Sequence, residues 1–302
     1  MPRSSRSARP TGTTRPGPRR RLPVLAALAA AAALVAGVGA PAYAADPAPV
    51  APAPTAVPGT EDRPDFHPDQ DFAGSTVAAH EGVEGGTPFA ALDATRVAGL
   101  DVASYQHNVD WSAVSANGAQ FAYVKATEGT SYTNPYFGQQ YNGSYDAGLI
   151  RGAYHFALPG DSSGSAQANW FVDHGGGWSA DGATLPPALD IEYNPYGASC
   201  YGLSRSALVG WIRDFSSTVH HRTGRYPTIY TTTSWWSSCT GNYGGFGATN
   251  PLWIARYSSS VGTLPNGWEY QTFWQYANSG TFPGDQDLFN GSADRLSALA
   301  LG

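Results

Sequence analysis

The chain has 302 residues and a formal charge of −6, and seven of its 17 basic side chains are arginines within the first 44 positions. Beyond them ten basic groups face all 23 acidic ones, a charge near −13, and Lys125 is the sole lysine. A body this acidic has no basic stripe to neutralise phosphates, which argues against nucleic acid as a partner, and an anionic wall polymer would have to be held by stacking and hydrogen bonds rather than by long-range steering.

Residues 1–44 combine those arginines with an apolar stretch from Leu22 to Val38 and the small-residue sequence Ala42-Tyr43-Ala44, the grammar of a secretory signal peptide. As a membrane anchor the stretch is alanine-rich and barely long enough to span, so the mature chain is expected outside the cell, free of the membrane and monomeric. Arg19-Arg20-Arg21-Leu22 leaves a twin-arginine route open beside the general one. Residues 45–92 read as a Pro/Ala-rich linker to about Pro58, then an acidic stretch without sustained period, either a pro-segment or an arm packed on the main domain. No internal repeat is visible, which removes solenoids and propellers.

Residues 93–302 are one domain's worth of chain with a regular grammar. Short apolar runs predict strands at 99–106, 121–127, 151–157, 186–193, 227–233, 251–257, 272–277 and 286–290. Asn134-Pro135 opens a helix carrying Phe137, Tyr141 and Tyr145. Ser204 caps a second, with Leu208, Trp211, Ile212, Phe215 and Val219 on one face and Gly224 past its end. Strands alternating with helices predict an α/β fold: a single irregular TIM-like β/α barrel of eight mostly parallel strands and few helices, since the connections after the fifth, sixth and seventh strands are short or glycine-rich. A doubly wound open sheet is the main rival.

Acids in apolar runs mark the chemistry. In the first strand the acid is Asp101, and in the eighth it is Asp287; a closed barrel makes those strands neighbours, so the two would meet at its mouth. In Pro186-Pro187-Ala188-Leu189-Asp190-Ile191-Glu192-Tyr193, Asp190 and Glu192 stand at i and i+2 and so face one cavity. Like charges that close raise the pKa of one member, which can then keep its proton near neutrality, as glycoside cleavage requires of its acid. An isolated Asp-x-Glu is common by chance and often only binds solvent or caps a helix; the apolar run around this one argues for burial and use. Tyr154, Tyr230 and Trp274, among 17 tyrosines and 9 tryptophans, are candidate sugar contacts. Lys125 and Glu128 read more simply as a structural ion pair or turn. Cys200 and Cys239 are an even pair in an exported chain and predict a disulfide. No spacing of Cys and His supports a metal, and no cofactor is called for.

Several motifs in order carry a family resemblance. They are Asp101-Val102-Ala103-Ser104-Tyr105-Gln106, Lys125-Ala126-Thr127-Glu128-Gly129 with Tyr132 and Asn134, Gly152-Ala153-Tyr154-His155-Phe156, Asp190-Ile191-Glu192, and Trp274-Gln275-Tyr276. Together they resemble glycoside hydrolase family 25 over nearly all of residues 93–302. The resemblance implies a muramidase that cuts the β-1,4 bond from N-acetylmuramic acid to N-acetylglucosamine in bacterial peptidoglycan. Glu192 would then be the proton donor, Asp190 its charged partner, and Asp101 and Asp287 the further acids of the cleft. His107, where the family often has a turn former, and the spacing of Asn290 after Asp287 depart from the pattern. The substrate's 2-acetamido group could serve as nucleophile with Asp190 holding it, or Asp101 or Asp287 could act as base or nucleophile. A non-catalytic wall-binding protein and a chitinase-like glycosidase are the alternatives, the latter without its longer Asp-x-x-Asp-x-Asp-x-Glu run.

Overall fold

The computed structural model describes residues 65–83 and 96–302; the leader and the Pro/Ala-rich part of the linker lie outside the described residues. A short helix α1 (Val77–Glu81) precedes the first strand. The strands are β1 (Val97–Val102), β2 (Phe121–Glu128), β3 (Tyr132–Thr133), β4 (Ile150–Phe156), β5 (Ala188–Asp190), β6 (Thr228–Thr231), β7 (Leu252–Ala255), β8 (Phe273–Ala277) and β9 (Asp285–Phe289).

Pairing runs β1-β9-β8-β7-β6-β5-β4-β2, and a further β1–β2 ladder closes the ring, so the sheet is a barrel and not an open doubly wound sheet. Every expected strand is present. All barrel neighbours are parallel except β9, which is antiparallel to both β8 and β1. β3 is a two-residue hairpin arm on β2, too short to show a period in the sequence.

Alternation along the strands sorts side chains into two cores. Inside the barrel lie Phe121, Tyr123, Tyr154, Ala188, Tyr230, Trp253, Phe273 and Phe289. Tyr123 stacks on Trp253 with centroids 4.7 Å apart, and Phe121 meets Phe273 at 5.1 Å. Outside, Leu189, Ile191, Ile229, Ile254 and Trp274 face the helices.

Those helices lie in the connections between the parallel strands from β1 to β7, and one more follows β9. They are α2 (Trp111–Ala116), α3 (Phe137–Asp146), α4 (Gly164–Asp173), α5 (Arg205–Thr223), α6 (Thr233–Thr240) and α7 (Ala293–Leu301). α5 starts where Ser204 accepts from the Ala207 amide and ends at Gly224 in the left-handed region, with Leu208, Ile212, Phe215 and Val219 buried. α3 begins two residues later than its Asn-Pro signal suggests, because Asn134 turns the chain by accepting from the Tyr136 amide at 2.9 Å. Its buried residues are Gln140 and Ser144; Phe137 and Tyr141 stack at 4.9 Å on the flank and Tyr145 stays exposed. The connection after β6 does hold a helix, α6, whereas residues 256–272 and 278–284 hold none.

Both ends of the interior are stoppered. At the strand starts, Leu296 and Ala300 of α7 pack with Val97, Phe121 and Leu185. At the other end Ala73 and Val77, from residues 65–83, join Tyr154, Tyr230 and Tyr257. Cys200, in the loop after β5, is bonded to Cys239 of α6 with Cα atoms 5.4 Å apart. This closes the expected disulfide and ties two connections at the barrel mouth.

Candidate active site

Five carboxyls gather inside the mouth, formed by the C-terminal ends of the parallel strands: Asp101, Asp190, Glu192, Asp285 and Asp287, all at most 2 % exposed. Asp190 ends β5, and the Ile191 amide still donates to the Tyr230 carbonyl at 3.0 Å, so the chain stays extended through Glu192. Leu189 and Ile191 belong to the outer core, which leaves Asp190 and Glu192 facing in together.

Because β9 runs downward, its first residue is uppermost. Asp285 stands opposite Asp101 and Asp287 opposite Gly99, one layer deeper. Asp287 nevertheless reaches the Asp101 carboxyl from below, and its Oδ1 accepts from Trp253 Nε1 at 2.8 Å. Asp285 is thus a member of the cluster that the sequence reading passed over. So is Tyr257, whose Oη lies 3.1 Å from Asp285 Oδ2 and 3.1 Å from Gln275 Oε1.

Gln275 organises the centre. Its Nε2 donates to Asp101 Oδ2 at 2.8 Å, and its Oε1 accepts from Tyr230 at 2.8 Å. Tyr154 and Tyr230 are both fully buried and turn inward as expected. Trp274 does not: the parity of β8 sends Phe273 and Gln275 inward and Trp274 into the outer core, where Nε1 donates to the Arg256 carbonyl at 2.9 Å. The inward position belongs to its neighbour Gln275, and the assignment of Trp274 as a sugar contact is withdrawn.

Lys125 and Glu128 form the buried ion pair the sequence suggests, with Glu128 also accepting from Tyr196. His107 takes the turn-forming role itself, with φ of 53° after the 3₁₀ turn Ser104–Gln106.

Residues 65–83 cross the mouth over these groups. The Gly74 amide donates to Glu192 Oε1 at 2.6 Å and the Thr76 hydroxyl to Oε2 at 3.1 Å. Asp190 differs: neither of its oxygens has a hydrogen-bond partner among the described residues.

Burial dominates the titration of the cluster. It pushes Glu192 up to about 8 against the hydrogen bonds from Gly74 and Thr76, and Asp101 up to about 7 against those from Gln275 and Asp287. Asp190 is held well above the ordinary carboxyl range, first by burial and then by the charge of Glu192, with Lys125 opposing. Asp285 and Asp287 are raised by burial and by Asp101. The cluster therefore retains protons at neutral pH, an arrangement able to deliver one to an entering oxygen.

The comparisons with known proteins agree with this geometry. The family model for glycosyl hydrolases family 25 matches residues 100–285. The N,O-diacetylmuramidase of Chalaropsis sp is 52% identical over 210 residues, covering 68% of this chain and 100% of the relative. A muramidase structure from Acremonium alcalophilum superposes with a TM-score of 0.67 at 58% identity, covering 68% of this chain and 99% of that one. The bacterial lysozyme structure from Streptomyces coelicolor gives 0.66 at 50% identity, over 68% and 97% of the two chains. With a closed barrel, a buried carboxyl pair at the end of β5 and a family match running from β1 to the start of β9, the chain belongs to glycoside hydrolase family 25.

Proposed function

We propose that this chain is an exported lysozyme that hydrolyses the β-1,4 bond from N-acetylmuramic acid to N-acetylglucosamine in bacterial peptidoglycan, with Glu192 as general acid and Asp190 assisting. The observation that carries the reading is the contrast within one strand end: two inward carboxyls with raised pKa values, of which Asp190 has no donor on either oxygen among the described residues. A buried carboxylate left without partners is costly unless a ligand supplies them. The amide N–H of a 2-acetamido sugar is such a donor.

Glu192 gives its proton to the glycosidic oxygen as the C1–O bond breaks, and the electron pair stays with the departing sugar as a hydroxyl. Asp190 acts in its ionised form, which the amide N–H of the bound sugar stabilises; the acetamido oxygen of the muramic acid closes on C1 while Asp190 takes the amide proton, giving a neutral oxazoline. Water then adds at C1, returns a proton to Glu192, and recovers the amide proton from Asp190. The product keeps its β configuration. Asp101, Asp285 and Asp287 line the opposite wall, where their shared protons keep that side close to neutral, and the Tyr154 and Tyr230 hydroxyls are polar contacts for the sugar. The remaining assignments extend this reading: residues 1–44 as a removed signal peptide, 93–302 as the catalytic domain, and a monomer working outside the cell.

The test is Glu192→Gln assayed on purified peptidoglycan. Expected is loss of at least about 10³-fold in turnover with wall binding intact, and the parent enzyme should leave N-acetylmuramic acid at the new reducing end as its β anomer. Indifference to the substitution would mark a wall-binding protein, and N-acetylglucosamine at the new end would refute a muramidase.

A further inference from the structure

The segment 65–83 is not a strand or helix of the barrel, yet it makes the most intimate contacts in the cleft. Its backbone sits directly against Glu192, Gln275 and the inward tyrosines. The Ala73 amide donates to Tyr154 Oη at 3.2 Å, the Ala73 carbonyl accepts from Gln275 Nε2 at 2.8 Å, and the Gly74 carbonyl lies 3.1 Å from Tyr257 Oη. Lys125 spends two of its three donors on the carbonyls of Pro68 and Asp71. On the rim, His80 stacks on Tyr193 with centroids 4.0 Å apart and planes within 4°, covering an aromatic face of the kind sugars use.

The fit is tight enough to select the residue. Gly74 has φ of +91°, and a Cβ there would fall 2.1 Å from Tyr257 Oη and 2.9 Å from Tyr230 Oη. Only glycine allows the backbone amide to reach Glu192 at that point. The contact also opposes catalysis chemically, since Gly74 and Thr76 donate hydrogen to the two oxygens from which a proton donor must act.

The whole Acremonium alcalophilum muramidase chain is accounted for, to 99%, by 68% of this one. Only twelve residues of sequence separate Val83 from Arg96, and covalent attachment over that length gives the arm an effective concentration on the order of millimolar, so a soluble glycan competes poorly while the chain is intact.

We propose that residues 65–83 keep the enzyme latent: an inhibitory arm seated on Glu192 through Gly74 and Thr76, which must leave the mouth before wall glycan can enter. This rests on the reading of the Glu192 cleft as the glycan site. Release requires either a cut between the arm and β1 or a competing surface that engages the arm.

The experiment uses the full exported chain, with a site for a sequence-specific protease inserted between Gly85 and Gly86. A soluble tetrasaccharide of alternating N-acetylglucosamine and N-acetylmuramic acid is titrated at 4 °C by tryptophan fluorescence, before and after cutting and removal of the arm by gel filtration. The uncut Gly74→Val chain is titrated in parallel, since a β-branched residue at that φ cannot seat. A gain in affinity of about tenfold or more from the cut or from the substitution is expected. Equal Kd values within twofold in all three forms would overturn the proposal, with the cut form covering the case in which the variant fails to fold. Released reducing sugar is read separately: tighter binding without cleavage would sustain the latent arm while refuting the assigned role of Glu192.

Discussion

Asp190 and Glu192 are two residues apart on one extended stretch, but they have opposite surroundings. Glu192 has a donor on each oxygen, both from the arm, and Asp190 has none among the described residues. The proposed roles rest on that difference, one carboxyl to give a proton and one to receive an amide. Asp190→Asn is expected to lower kcat by about 10²- to 10⁴-fold, the usual range for a positioned acid or base, with little change in KM; steady-state kinetics on solubilised glycan, with the arm removed, would check it. The Asp190-Glu192 pair was legible because its i, i+2 spacing lies in a clearly apolar run. Asp285 repeats the same spacing with Asp287, but behind glycine and proline in Phe282-Pro283-Gly284-Asp285 it reads as loop. An aromatic face makes Trp274 a candidate in the sequence, although strand parity, which one sequence position inverts, gives the interior to Gln275.

At the level of elements, all eight barrel strands could be read from apolar runs, and α5 from its serine cap and terminal glycine. The features that escaped are those without a period: the β3 hairpin, and the arm, which binds through backbone groups and single side chains rather than through an amphipathic face. The order around the ring is the sequential one that a closed barrel implies, but the direction of the last strand escaped, because nothing local in Asp285–Phe289 announces that it runs against its neighbours. An even pair of cysteines in a chain with an export leader predicts the disulfide, and the structure shows what it joins. It spans 39 residues and links the loop beyond Glu192 to α6, where Trp235 Nε1 also donates to the Ser199 carbonyl at 2.9 Å. Replacing both Cys200 and Cys239 by serine is expected to lower stability by about 3 to 4 kcal/mol, measured by guanidinium unfolding. Activity below the new midpoint should survive, because neither sulfur touches the carboxyl cluster.

For the whole molecule, the five buried carboxyls of the cluster, with the buried Glu128 of β2 beside them, set the response to pH. Each has a native pKa raised above its unfolded value, Asp101 to about 7 and Glu192 to about 8. Between the ordinary carboxyl range and those values the folded state holds protons that the unfolded chain has lost, so stability is fullest in mild acid and declines as pH rises through 7 and 8. Thermal unfolding should show Tm falling by several degrees, about 3 to 8 °C, from pH 5 to pH 8, and Asp287→Asn should flatten that slope; a Tm that climbs over the interval would contradict the burial of the cluster. The two stoppers carry one more implication. α7 closes the floor of the barrel with Leu296 and Ala300, and Gly302 ends beside Trp178, at the pole opposite the cleft. Anything hung from that carboxyl end, whether an affinity handle, a bead or a second module, is kept a full barrel height away from the carbohydrate, so immobilised enzyme would present its open face outward.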